Sequence, residues 1–485
     1  MIQLTLDNLS PPPFIPSKYQ EAIFDFVKCG TGHGILNAAA GAAKTTSLLK
    51  SLTYIPKTKR VIFCAFSNTI VDELKTKIPV NCRASTVHSI GYQSLMIAGY
   101  KSKIEKFKQG MIFDQIVRRD KLTVPDDYFF SVRDTVSFMK GMMLPETTES
   151  IEEILELHDI DPGYDRELFD HLVLESLKIS VLQKHIVDFD DMMWIPLKLK
   201  LYIPQYDFVF IDELQDLNMS QVEITLKLCA PGGRIIAAGD ENQSMYGFRG
   251  AATDAMSSTA AILNATQLPL SISYRCPISH IKLAQSYVPS IEQAPNAKEG
   301  LIKDIDGEEF LNIIQPGDMC ICRNNAPLVD YAFDALDKGY KINIRGQDIG
   351  HGLQAIVKRM NARNILDLHV KLKIWRDAEI LKLITEKKNP ERIEDKYKAL
   401  MSLSKHATDV KELLVYIKKL FSDENKEIVF SSIHRAKGLE ANRIFIIKFD
   451  LIPSRWAKLD WEIQQEQNIA YVAVTRSKSE LYFVD

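Results

Sequence analysis

At 485 residues the chain exceeds what one hydrophobic core usually supports, so about two to four domains are expected. Its 46% hydrophobic and 25% charged content is that of an ordinary globular protein, and a net charge of −3 weakens the case for a nucleic-acid coat, so any nucleic-acid site must be a local groove. Seven cysteines without a Cys-x-x-Cys pair argue for reduced thiols and against a disulfide framework or a zinc site.

The opening Met1-Ile-Gln-Leu-Thr-Leu-Asp7 lacks a basic region followed by an apolar one, so no leader is expected. No apolar run is long enough to span a bilayer, and a cytoplasmic protein without membrane contact is expected. Pro11-Pro-Pro-Phe-Ile-Pro16 is a stiff lead-in, and Ser17 caps a helix beginning near Lys18 with Gln20 in its first turn. Gly34–Ala38 reads as a strand and Ala39–Thr46 as a loop entering a helix. Val61–Phe66 is a second buried strand, followed by Ser67-Asn68 and a helix over Thr69–Lys77. Such strand-then-helix alternation implies a parallel sheet.

From about Gly91 to Asp188 the pattern turns to amphipathic helices, read as a helical insertion. Strands return at Tyr206–Ile211 and Arg234–Ala238. A second α/β set is expected from Gln267–Ile272, Asp318–Arg323, Tyr340–Arg345, Glu427–Ser432, Arg443–Ile447 and Glu480–Val484, interrupted by a charge-rich helical stretch between Arg345 and Asn425.

Three segments carry chemistry. Ala38–Thr45 has the length of a phosphate loop: backbone N–H groups at the helix start would cradle phosphates, Lys44 would neutralise them and the Thr45 hydroxyl would hold magnesium. Ala38 and Ala43 stand at the two positions usually written as Gly, leaving only Gly41; if position 43 needs a positive φ, alanine there costs on the order of 1 kcal/mol. The strand ending at Ile211 delivers Asp212-Glu213-Leu-Gln-Asp216 to the sheet's carboxyl edge, where Asp212 suits magnesium and Glu213 suits the proton of an attacking water. Together these point to ATP hydrolysis. The third segment, Gly239–Ala251, follows a buried strand and combines a polar Gln243 with flat Tyr246 and Phe248 and a cationic Arg249. Read alone, it fits either a nucleotide-and-base contact or a polar loop with two aromatics tucked into the core.

In these segments the chain resembles the UvrD/Rep type of superfamily 1 helicases, with matches spread from Gln20 to Phe483. The resemblance implies an α/β protein of two RecA-like parallel-sheet domains in tandem, each interrupted by a mainly helical insertion. It divides the chain into 1–90 with 189–265, an insertion at 91–188, 266–345 with 426–485, and a small insertion at 346–425. It implies ATP and Mg2+, with Gln20 reading adenine and Ala38, Ala39, Ala40, Gly41, Ala42, Ala43, Lys44, Thr45 and Thr46 around the phosphates. Thr45 and Asp212 would hold the metal, and Lys44, Glu213 and Gln243 would act on the γ-phosphate or the water. Phe66-Ser-Asn68 and Thr86-Val-His88-Ser resemble single-strand-contacting segments, and Asp188-Phe-Asp-Asp191 resembles another family motif. By the same likeness Tyr246 and Phe248 stack on bases and Arg249 anchors the strand.

In the second half, Ser273-Tyr-Arg-Cys276 resembles the motif whose tyrosine, here Tyr274, packs on adenine and whose arginine, here Arg275, reaches the γ-phosphate. Ser432–Glu440 resembles the motif in which His434 meets DNA and Glu440 the ribose, and Gln467–Arg476 resembles the last motif, making Arg476 a second arginine finger. Tyr471 at helical spacing and Cys276 read as core, and Arg435 and Asn468 carry no assigned role. The partners implied are single-stranded and tailed duplex DNA and a replication or repair protein. A monomer or weak oligomer is expected, a stripped-down motor ending just after its final motif.

Overall fold

Strands that are apolar along their whole length are stable only when covered on both faces, and this chain arranges them in two parallel sheets. The computed structural model describes residues 14–65, 67–124, 128–158, 160–163, 165–245, 255–385, 389–421 and 427–485. The first sheet holds β1 (Gly34–Ala38), β2 (Val61–Ala65), β3 (Cys82–Thr86), β4 (Tyr206–Ile211), β5 (Cys229–Gly239) and β6 (Thr266–Leu270), in the spatial order β3-β2-β4-β5-β1-β6. The second holds β7 (Leu301–Ile305), β8 (Met319–Cys322), β9 (Ile342–Ile344), β10 (Ile428–Ser432), β11 (Ala441–Ile447) and β12 (Ser477–Val484), in the order β7-β12-β11-β8-β10-β9. All these pairings are parallel.

One expected assignment is corrected. The strand anticipated at 267–272 as the start of the second α/β set is β6, and it pairs with β1, Leu268 opposite Leu36. The first sheet therefore extends past residue 265. The apolar pattern announces a strand there but not which sheet it joins. Two edge strands escaped the apolar pattern for a related reason. β3 (Cys-Arg-Ala-Ser-Thr) and β7 (Leu-Ile-Lys-Asp-Ile) lie at sheet edges, where part of the strand faces water and no continuous apolar run is required.

The period-2 alternation of strands sorts side chains into separate cores. Leu36, Phe63, Phe210 and Ile236 face a core shared with the second sheet, which supplies Ile321, Ile444 and Ile446. Ile35, Ile62, Val209 and Ile235 face the opposite way, onto the helical segment, with Ile112 and Leu172. The other face of the second sheet packs Cys320 and Phe445 against Leu353, Leu400 and Leu413 of helices 347–360, 391–405 and 410–420.

A buried ionic knot fastens the first helical segment to the helix that follows it. Asp188 and Asp191 form a capping box at the start of helix Phe189–Lys198. Asp191 also meets Lys108 at 2.5 Å and Lys140 at 2.7 Å, both lysine side chains being 0% exposed. Burial lowers the Lys108 ammonium, whereas at Lys140 the carboxylates of Asp188 and Asp191 outweigh burial and raise it. Removing one partner strands a buried charge, so Lys140→Met is expected to destabilise the fold by about 3–5 kcal/mol. Denaturant unfolding measures this, and a loss below about 1 kcal/mol would contradict it.

Candidate functional site

Because β1, β5 and β4 are neighbours, with Asn37 opposite Gly239 and Ala237 opposite Ile211, the segments leaving them meet at one sheet edge. The loop after β1 enters helix Lys44–Ser51, whose first N–H groups have no intrahelical acceptor and so present a positive end. The Thr45 hydroxyl donates to Asp212 Oδ2 at 2.5 Å, and Lys44 Nζ lies 3.4 Å from Glu213 Oε2. Glu213 itself sits in the left-handed region at φ 57 and accepts from Gln215 Nε2 at 2.7 Å, while Gln215 Oε1 accepts the Asp240 N–H at 3.0 Å. Gln215 thereby links the loops after β4 and β5.

The two adjacent carboxylates divide their proton affinity. Burial, then the charge of Glu213, pushes Asp212 up to about 6. Burial acts the same way on Glu213, but Lys44 and then Lys437 outweigh it and hold that carboxyl down to about 2. Glu213 is thus the more acidic member of the pair.

Ala43 caps the helix at φ 61, ψ 42, the left-handed conformation that its Cβ disfavours. Ala43→Gly is expected to leave thermal stability little changed, because the relief of about 1 kcal/mol of strain is offset by the freedom the unfolded chain gains. Thermal melting checks this, and a Tm moved by more than about 3 °C in either direction would count against it.

The second lobe closes over this edge. An added Cβ on Gly41, itself at φ 74, would lie 2.6 Å from Arg275 Cβ and 2.7 Å from Ser273 Oγ, and the Tyr274 N–H donates to Gly41 O at 2.9 Å. Arg275 Nε donates to Glu440 Oε2 at 2.6 Å, and Glu440 also pairs with Lys478. Arg476 is buried, reaches Gln243 Oε1 at 3.3 Å and donates to Val472 O at 2.9 Å. Burial, then Arg275, lowers its guanidinium to about 10, which leaves it protonated at neutral pH. Lys437 crosses to the first lobe, 2.5 Å from Asp216 Oδ1 and 2.6 Å from Gln243 O, and Asn468 Nδ2 donates to Ser244 O at 2.8 Å.

The structure therefore gathers Lys44, Thr45, Asp212, Glu213, Gln243, Arg275, Glu440 and Arg476 around one cleft. Ala38, Ala39, Ala40 and Ala42 of the loop are buried, and Thr46 is exposed. Gln20 is 1% exposed, its Oε1 accepts the Ser17 N–H and its Nε2 donates to Ser47 Oγ, each at 3.0 Å. Tyr274, 46% exposed, offers an open ring face.

Asn68 lies at the start of helix Asn68–Lys75, on a groove of about 920 Å³ that it lines with Lys75, Arg83, Thr86 and Ser89. His88 meets the exposed ring of Phe189 edge-on at 5.9 Å, and burial lowers its pKa. His434 lies half-buried in the short helix Ile433–Ala436 that follows β10. Phe66, Tyr246, Phe248 and Arg249 lie outside the described residues. Sequence reasoning gives no role to Gln215, Lys437 or Asn468 and reads Tyr471 as core. Gln215 joins two loops of one lobe, whereas Lys437, Asn468 and Tyr471 meet partners distant in the chain that only the packing of the lobes reveals.

The chain matches the family models described as UvrD/REP helicase N-terminal domain, over residues 20–261, and UvrD-like helicase C-terminal domain, over residues 347–484. It is 22% identical over 509 residues to F-box DNA helicase protein 1 of Schizosaccharomyces pombe, covering 93% of this chain and 55% of that protein. It is 22% identical over 507 residues to F-box DNA helicase 1 of Gallus gallus, covering 91% and 46%. With ATP-dependent DNA helicase PcrA of Bacillus subtilis it shares 23% over 284 residues, 51% of this chain and 36% of that one. The chain thus spans about half the length of the first two relatives and about a third of the last. With both halves matched in order, and each supplying one wall of the cleft, the chain belongs to the UvrD/Rep-type helicase family.

Proposed function

We infer that this protein is an ATP-driven translocase on single-stranded DNA that separates duplexes, moving 3′ to 5′. The observation that carries the reading is the cleft: Lys44, Thr45, Asp212 and Glu213 on one lobe face Arg275 and Arg476 on the other. Thr45 and Asp212 fit Mg2+, since a hydroxyl and a carboxylate oxygen are hard donors and already lie 2.5 Å apart. When bound there, the ion would offset charge on the β- and γ-phosphates.

The chain's own groups divide the remaining work. Lys44, drawn from Glu213 to the phosphates, releases that carboxylate to orient and deprotonate water. Gln243, bonded to both Asp240 and Arg476, reports the cleft's contents to the segment that follows it. Arginines from the second lobe stabilise the transferring phosphoryl group only while the cleft is closed, so each hydrolysis is coupled to closing and opening. Alternate grip by two lobes on a strand lying along Asn68, His88, Tyr246, Phe248, Arg249 and His434 turns that cycle into movement. The lobes are 1–90 with 189–270 and the remainder of the second α/β half with 426–485; segments 91–188 and 346–425 act as insertions. A monomer or weak oligomer serves this scheme. The direction of travel rests on likeness to the family.

A second reading, a weakly hydrolysing clamp on single strands, is favoured by the strained Ala43. ATPase assays with and without single-stranded DNA, and unwinding of 3′- and 5′-tailed duplexes, separate the two. Strong stimulation with unwinding of 3′-tailed duplexes alone supports the motor. An unstimulated background rate supports the clamp, and preference for 5′ tails overturns the direction.

A further inference from the structure

The phosphate loop receives one bond from the far lobe that the scheme above leaves unused. The Ala40 N–H donates to the Tyr471 hydroxyl at 2.9 Å. Tyr471 lies in helix Asp460–Val474, five residues before Arg476, with its side chain wholly buried in the core that joins the two lobes. The loop's other backbone anchors come from its own lobe, apart from Tyr274 in the second lobe's first segment. The Ala39 N–H donates to Leu270 O at 3.0 Å, the Ala42 N–H to Ala39 O at 3.1 Å, and Gly41 O accepts from Tyr274.

Among the described residues, the N–H groups of Gly41 and Ala43 have no acceptor, so Tyr471 does not occupy the donors left for phosphate. Nor does its own O–H have an acceptor among those residues. Burial raises the phenol well above its ordinary pKa, so it stays neutral, accepting through oxygen and keeping its proton. A tyrosine buried for packing alone needs some partner for its hydroxyl. This one has found it on the loop that sequence motifs assign to ATP, across the cleft.

We propose that Tyr471 is a positioning residue that ties the conformation of the phosphate loop to closure of the lobes. Its hydroxyl completes the loop's backbone bonding only when helix Asp460–Val474 sits against Ala40, the same arrangement in which Arg476 reaches Gln243. When the lobes part, the Ala40 N–H passes to water, and a loop already strained at Ala43 loses an anchor. The proposal rests on the ATP-driven reading for its purpose, but its geometry can be tested without nucleotide.

The test compares the full-length protein with Tyr471→Phe by hydrogen–deuterium exchange of residues 38–45 in the nucleotide-free state, and by steady-state ATPase at saturating single-stranded DNA. The expected result is exchange at Ala40 faster by about tenfold and kcat lower by about tenfold, with KM for ATP and Tm little changed. A second variant carrying 3,5-difluorotyrosine at 471 keeps ring and hydroxyl while weakening the oxygen as an acceptor, and should fall between the two. Unchanged exchange in the loop overturns the proposal. So does a fall in kcat that merely follows a fall in Tm, the mark of a packing role. If the wild type hydrolyses no ATP, the functional reading fails, while the exchange measurement still decides whether Tyr471 anchors the loop.

Discussion

Glu213→Gln is expected to lower DNA-stimulated ATP hydrolysis by about a thousandfold while leaving ATP binding within about threefold. The amide keeps the size and the ability to meet Gln215, but loses the charge and the capacity to take a proton. That charge is neutralised by Lys44 at 3.4 Å and by Lys437, which is why the carboxyl is held down to about 2 despite burial. So stabilised, it is a poor base, and in the proposed cycle the move of Lys44 to the phosphates restores its basicity. Lys44→Ala is expected to fail differently: ATP binding itself should weaken by more than about tenfold, because the phosphates lose their counter-charge. Binding of a non-hydrolysable analogue alongside steady-state hydrolysis distinguishes the two variants. A Glu213→Gln protein hydrolysing at more than about a tenth of the wild-type rate would remove Glu213 from the chemistry.

Arg476→Lys should reduce kcat by about a thousandfold or more, the scale of losing an arginine that meets the transition state. Lysine keeps the charge but not the planar fork. The fork here reaches Val472 O at 2.9 Å, Thr475 Oγ1 at 3.2 Å and Gln243 Oε1 at 3.3 Å, so it touches the first lobe. Arg275→Ala should show a loss of the same kind, since Arg275 packs against Gly41 and is steadied by Glu440. Single-strand binding without nucleotide should survive both changes, as neither arginine lies on the proposed track. Because Arg476 is buried, a melting curve must accompany the rates. A folded Arg476→Lys protein with near-normal turnover would mean the cleft does not work by closure.

The groups that hold ATP in this reading were legible from sequence because each lies a fixed few residues from a strand end. Gly34–Ala38 and Tyr206–Ile211 are apolar enough to be recognised as buried, so the sequence alone assigns Lys44, Thr45, Asp212 and Glu213 to one sheet edge. Ala43 is a residue that a positive φ strains, and its φ is 61. What remained hidden depends on which surfaces meet. Strand Thr266–Leu270 reads the same whether it closes the first sheet or opens the second, and only its pairing with Gly34–Ala38 decides. Lys437, Asn468 and Tyr471 reveal nothing by spacing, since their partners Asp216, Ser244 and Ala40 are hundreds of residues away and are reached only through docked lobes. Nor does spacing reveal that the Gln20 amide bonds Ser17 and Ser47. Local sequence determines which groups stand at a strand's end because that depends on a handful of adjacent residues. The tertiary structure alone decides what they face, because that depends on how two separately formed sheets come together.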